Sequence, residues 1–204
     1  MIQITIILGW VGIALFITLA ATFQGLAKRN EFGFIHLIMA FMYAMWLPLP
    51  LALGESLNEE FLIVGTIFGE VYLIMIIITM TLQTGHLVHS AKQENDKELW
   101  EERVDWMMDT LTSPYEVLAN IFKSVWAIFL AVAFWNESNM FMGSLMSLFS
   151  LLIVYFFIIL LNSSLVHPIK FLSKVKPNPF IFNLETILFF LSLMIYITFY
   201  LDSL

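Results

Sequence analysis

The sequence predicts an all-α, polytopic integral membrane protein: a six-helix transmembrane bundle that forms one membrane domain over residues 1–204. Composition is the first observation. Hydrophobic residues make up 60% of the chain and charged residues 12%, with a mean hydropathy of +0.89, against roughly 45–50% and about 25% in soluble domains. Length is the second. Six stretches are apolar over about 20 residues, which is what a helix rising 1.5 Å per residue needs to cross about 30 Å of hydrocarbon. Charge placement is the third: every loop Lys and Arg falls in alternate loops. A β-barrel would alternate apolar and polar residues along each strand, and no segment does.

Span 1 covers about 4–27, within a run from Met1 to Ala27 that holds no acid or base. Its start lacks the basic segment and the small-residue cleavage site of a secretory signal, so it reads as a retained span. Lys28 and Arg29 follow. Span 2 covers about 33–53 and carries Pro48 and Pro50 near its far end. Each proline removes a backbone donor there, which reads first as an ordinary fray at the span end and otherwise as a kink lining an outward-facing cavity. Span 3 covers about 61–82. Gly65 and Gly69 set a GxxxG spacing in it that allows close helix packing.

The connection from span 3 to span 4 holds an amphipathic helix over about 97–111. Trp100, Val104, Met107, Met108 and Leu111 share its apolar face, and Glu98, Glu101, Glu102, Asp105 and Asp109 take the other. From Ser90 to Ser113 there are three basic and seven acidic residues, a net of −4, which anionic lipid repels. The helix is therefore expected to lie along the protein's own rim or to dock a membrane or cytosolic protein partner. Span 4, about 114–134, opens with Ser113, Pro114 and Glu116 in the order of a capping box. Its Ala127 and Ala131 repeat the small-residue spacing. Span 5 covers about 140–161, and the rigid segment Lys176-Pro-Asn-Pro-Phe180 leads into span 6, about 180–200.

Lys28, Arg29, Lys92, Lys97, Arg103, Lys170, Lys174 and Lys176 all fall on one side, and the opposite loops and both termini hold no Lys or Arg. The positive-inside rule makes that side cytoplasmic and puts both termini outside, in a multi-pass arrangement in the cell membrane. Zero cysteines exclude disulfides and thiolate-held metals. A net charge of −7 offers no basic surface for nucleic acid. Phosphate-binding loops, nucleophile elbows and metalloprotease motifs are absent from the sequence.

Three functional readings follow from the residues that remain. Glu70 is expected about 15 Å inside span 3 and Lys123 about 13 Å inside span 4, near the same depth. Intramembrane ionisable groups are functional candidates by default, so the first reading is a transporter or channel-like protein handling protons, cations or a small solute, with Glu70 as the working group and Lys123 as its counter-charge. The second is a non-catalytic subunit or assembly factor, held to partners through the acidic helix and the GxxxG faces, with oligomers also compatible. The third is a redox or metal protein. His36, His86, His89 and His167 share the cytoplasmic side, and with Glu185 they could hold haem or a transition metal. Tyr115, Trp10, Trp46, Trp126 and Trp135 read as interfacial anchors.

Overall fold

A computed structural model describes residues 1–93, 97–167 and 169–200, the side chains of Lys97, Leu111, Thr112, Ser113 and Tyr200 excepted. All its regular elements are helical: α1 (Ile2–Lys28), α2 (Phe32–Met45), α3 (Leu49–Leu57), α4 (Leu62–Ala91), α5 (Lys97–Met107), α6 (Ser113–Asn136), α7 (Met140–Ser150), α8 (Leu152–Ser163) and α9 (Pro179–Tyr200). Taken with their continuations they make six helices long and apolar enough to cross a membrane. Three connections are tight, and each is closed by a residue in the left-handed region: Asn30 (φ 58°), Asn58 (φ 44°) and Ser138 (φ 62°). Asparagine reaches that conformation more readily than most residues, which suits it to ending a helix.

Contacts between distant segments sort the helix ends into two groups. Trp10 donates to Thr198, Asn136 to Glu59, and Tyr196 to Glu137. At the other end Gln83 donates to Glu116, and the Tyr155 hydroxyl donates to the Lys176 carbonyl. The second group adjoins the loops that carry Lys and Arg, and is termed the basic end. Helix α6 is the most buried span and packs against α4, α7 and α8; α2 packs on α1 and α4, and α9 on α1.

Span 2 is interrupted at Pro48, where a frayed end is the first expectation, and helix resumes at Leu49 as α3. Trp46, Leu47 and Pro48 form a turn between α2 and α3. The break is filled rather than open: Trp46 is fully buried, stacks on Phe190 at 4.1 Å, and donates its Nε1 to the Gly9 carbonyl. Trp46 and Trp126 are therefore core residues and not interfacial anchors. Trp135 and Tyr115 do stay exposed. Span 5 is interrupted at Leu151, where the Ser147 and Ser150 hydroxyls donate back to the carbonyls of Gly143 and Ser147 and so compete with backbone donors for these acceptors.

The start of span 4 differs from the expectation. Instead of a separate surface helix followed by a capped span, α5 runs through a π-helical turn, Met108–Thr112, directly into α6. Pro114 lacks the N–H that an α-helix would use at that point and its ring would crowd the carbonyl four residues back; widening the turn before it relieves both. Glu116 Oε1 accepts from Gln83 Nε2 at 2.7 Å; the Ser113 side chain, the other half of the expected capping box, lies outside the described residues. The apolar face of α5 does turn to the bundle, with Met107 buried and Trp100, Val104 and Met108 half-buried. The side chain of Leu111 lies outside the described residues.

The GxxxG pair works within the chain. A Cβ added at Gly65 would lie 2.5 Å from Phe129 Cβ, and one at Gly69 would lie 2.7 Å from the Trp126 ring and 3.1 Å from Pro50. Ala127 and Ala131 are buried on the same α6 surface. These small faces seat α4 against α6 and α3, so they are not available to a partner helix.

Candidate functional site: a buried ion pair between two spans

Helix α6 turns a polar stripe to the interior. Glu116, Asn120, Lys123 and Ser124 recur at intervals of three and four, which aligns them on one face. Lys123 is 1% exposed. An ammonium group carries a desolvation cost of several kcal/mol in such surroundings unless a counter-charge and further hydrogen-bond acceptors are at hand. Helix α9 supplies both from adjacent residues. Lys123 Nζ donates to Glu185 Oε2 and, at 2.8 Å, to Thr186 Oγ1. From α4 the Tyr72 ring lies 5.1 Å from the same ammonium, close enough for a cation–π contact. Tyr43 of α2 meets Tyr72 edge to face at 6.3 Å. Four spans thus converge on one charge pair.

Toward the basic end the polar chain continues. Asn120 Nδ2 donates to the Glu116 carbonyl at 2.8 Å, and Gln83 Nε2 to the Glu116 carboxylate. Gln83 and Asn120 are both buried, yet Gln83 Oε1 and Asn120 Oδ1 have no hydrogen-bond partner. Buried polar atoms are almost always paired with protein or ordered water. Toward the opposite end the chain stops at an aromatic layer. Trp46, Phe190, Trp126 and Phe189 stack or meet edge to face across the bundle axis, Phe190 also lying parallel to Tyr72.

Glu70 and Lys123 are not partners. Helix α4 turns Gly65, Gly69, Tyr72 and Ile76 inward, whereas Glu70 follows Ile63 and Ile67 and precedes Ile74 and Ile78 on the outward stripe, where all four isoleucines are exposed. Glu70 itself is half-buried, and its Oε1 is buried without a partner. The rotation of α4 gives Lys123 to Glu185 instead.

The histidines and Glu185 are not gathered into one site either. Glu185 faces α6 in the interior. His36 Nδ1 lies 2.7 Å from the Phe32 carbonyl on its own helix, His89 packs edge-on to Trp100 at 5.2 Å, and His167 is exposed in the loop after α8. His86 is half-buried with an unpartnered Nε2. Among the described residues no three His, Asp or Glu side chains converge on a point where a metal could sit.

Sequence reasoning singled out Lys123 and Glu185 but assigned them to different sites. It missed Tyr43, Tyr72, Gln83, Asn120 and Thr186. One signal was present: the Glu116, Asn120, Lys123 periodicity within an otherwise apolar span. Compared with known protein families, curated proteins and solved structures, the chain matches none.

Proposed function

We propose that this protein moves protons across a membrane through the Lys123–Glu185 pair. The observation that carries the reading is a buried, hydrogen-bonded ammonium–carboxylate pair with further buried polar side chains toward one end of the bundle and aromatic ones toward the other. The chemistry of the pair favours a proton over a metal cation, because the carboxylate already holds an ammonium that a metal would have to displace. A proton needs no displacement. It adds to the Glu185 carboxylate, breaks the ion pair and leaves Lys123 held by Thr186 and the Tyr72 ring. Gln83 Oε1 and Asn120 Oδ1 are acceptors suited to ordered water, which would carry the proton between Glu116 and the pair. The turn at Trp46–Pro48 is the natural hinge for opening the aromatic layer, since its backbone bonds run to the third residue back (Trp46 to Tyr43, Leu47 to Ala44, Leu49 to Trp46) instead of the fourth. By the positive-inside rule the basic end faces the cytoplasm and both termini lie outside.

The reading is tested with purified protein in liposomes under a potassium diffusion potential. A pH-sensitive dye enclosed in the vesicles is expected to report proton movement. Sodium or lithium gradients without a pH change should drive no current. Current carried equally by sodium would argue against a proton pathway.

A second reading, a subunit of a membrane complex, is favoured by one observation. Glu70 occupies the outward stripe of α4 among exposed isoleucines, a costly position for a carboxyl in lipid that a polar group on a neighbouring protein would relieve. Co-purification of a stoichiometric partner, lost in Glu70→Leu, is the test.

A further inference from the structure

Helix α4 turns a second face out of the bundle. Ile67, Ile74, Thr81 and Val88 stand seven residues apart on it, and all four are exposed. Glu70, Ile77 and Thr84 fill the alternate positions, each half-buried. From Ile67 to Val88 the steps are three and four in strict alternation, the spacing of a seam between two helices wound left-handedly. Every member but Glu70 is β-branched. Such side chains hold one or two rotamers in a helix, so they lose little freedom on contact. The polar members differ in one respect. Thr81 and Thr84 donate to the Ile77 and Met80 carbonyls of their own helix, whereas Glu70 Oε1 is buried and has no hydrogen-bond partner.

We propose that this seam joins α4 to α4 of a second copy of the chain, in a two-fold dimer whose axis stands along the membrane normal and in which the two Glu70 side chains meet. The proposal rests on the reading of Glu70 as a contact with a neighbouring protein, and it names that neighbour. A carboxyl set in an apolar face needs partners for its polar atoms. This chain offers it no counter-charge: eight of its nine Lys and Arg belong to the connections at the basic end, and the ninth, Lys123, is paired with Glu185. Two copies inserted the same way round hold each residue at the same depth, so a parallel seam brings Glu70 to Glu70. A carboxyl that holds a proton is both donor and acceptor. The pair therefore closes hydrogen bonds on itself with no cation, and one patch meeting itself is the contact a two-fold axis makes. The Gly65 and Gly69 face stays on α6 and α3, and the Lys123 pair is untouched.

The wild type has no cysteine, so single cysteines report the seam directly. Full-length Ile74→Cys and Thr81→Cys in liposomes are oxidised with copper phenanthroline and read as dimer on a gel. Ile17→Cys on α1 and Val154→Cys on α8, also exposed, are the controls. A parallel seam brings equal residues within disulfide reach, about 4.4–6.8 Å between Cα atoms, so dimer is expected at the two α4 positions and not at the controls. Glu70 is then exchanged in the Thr81→Cys background, and the protein-to-lipid ratio that gives half-maximal cross-linking is compared. Glu70→Gln, whose amide also pairs with itself, should keep the starting ratio. Glu70→Leu should need about three to thirty times more protein as the interhelical hydrogen bonds are lost. Equal cross-linking at all four positions, none at the α4 positions, or an unchanged ratio in Glu70→Leu overturns the proposal. If it falls while a different protein co-purifies through Glu70, the broader reading of a complex subunit stands and only the second copy is rejected; if neither contact forms, both fall.

Discussion

The Lys123 ammonium is held between Glu185 Oε2 and Thr186 Oγ1, with its counter-charge 62 residues further along the chain and on the last helix of the bundle. That contact ties α6 to α9 at a depth where water does not reach freely. It makes the two helices electrically dependent on each other. Each single neutralisation would leave the other residue buried and uncompensated.

Removing one partner is therefore expected to be worse than removing both. Lys123→Met and Glu185→Leu should each destabilise the fold by about 3–5 kcal/mol, and the double variant by much less, since an apolar pair of similar size avoids the desolvation cost. Reversible unfolding in mixed micelles, run as a double-mutant cycle, checks this. Additive losses would mean that the two side chains do not interact.

Packing of α4 on α6 depends on Gly69. Gly69→Ala sets a Cβ 2.7 Å from the Trp126 ring, whose position is fixed by Phe189 and Phe190. A loss of about 1–3 kcal/mol is expected from the overpacking. Gly85→Ala is the control, because nothing lies within 4 Å of its added Cβ; it should be neutral or gain up to about 1 kcal/mol in helix propensity. The melting temperature should fall in Gly69→Ala and hold or rise in Gly85→Ala.

The broken second span is held by an indole. Trp46→Phe keeps an aromatic ring against Phe190 but removes the donor to the Gly9 carbonyl. About 1 kcal/mol should be lost for the missing hydrogen bond, and more if the carbonyl is left dry. Faster amide exchange confined to residues 44–52 is the signature to look for by mass spectrometry.

The six spans were legible in the sequence because the bilayer sets a length and an apolar content that composition cannot disguise. Span 2's break was only half legible: Pro48 and Pro50 mark lost backbone donors, but residues alone do not say whether the helix frays there or resumes, as it does at Leu49 in α3. Helix rotation was not legible. Helix α4 is apolar on almost every side, so no hydrophobic face marks which residues point inward. Glu70 and Gly69 are one residue and about 100° apart, and the packing of Gly69 on Trp126 puts Glu70, half-buried, on the outward stripe of α4. Adjacency in sequence then suggested α4 as the partner of Lys123, whereas α9 brings Glu185 to it. The π turn before Pro114 escaped as well, because a proline that continues a widened helix and a proline that starts a new one leave the same residues in the sequence.

The most direct test of the ion-pair pathway is dye-reported proton flux in liposomes from three proteins measured side by side. These are the wild type, Glu70→Gln, and Lys123→Met/Glu185→Gln, which carries no buried charge at the pair and so keeps the fold. Flux in the wild type and in Glu70→Gln, with loss to the protein-free baseline in the double variant, is the outcome the pathway predicts. Flux that survives in the double variant and disappears in Glu70→Gln would contradict it and return the chemistry to the outward face of α4.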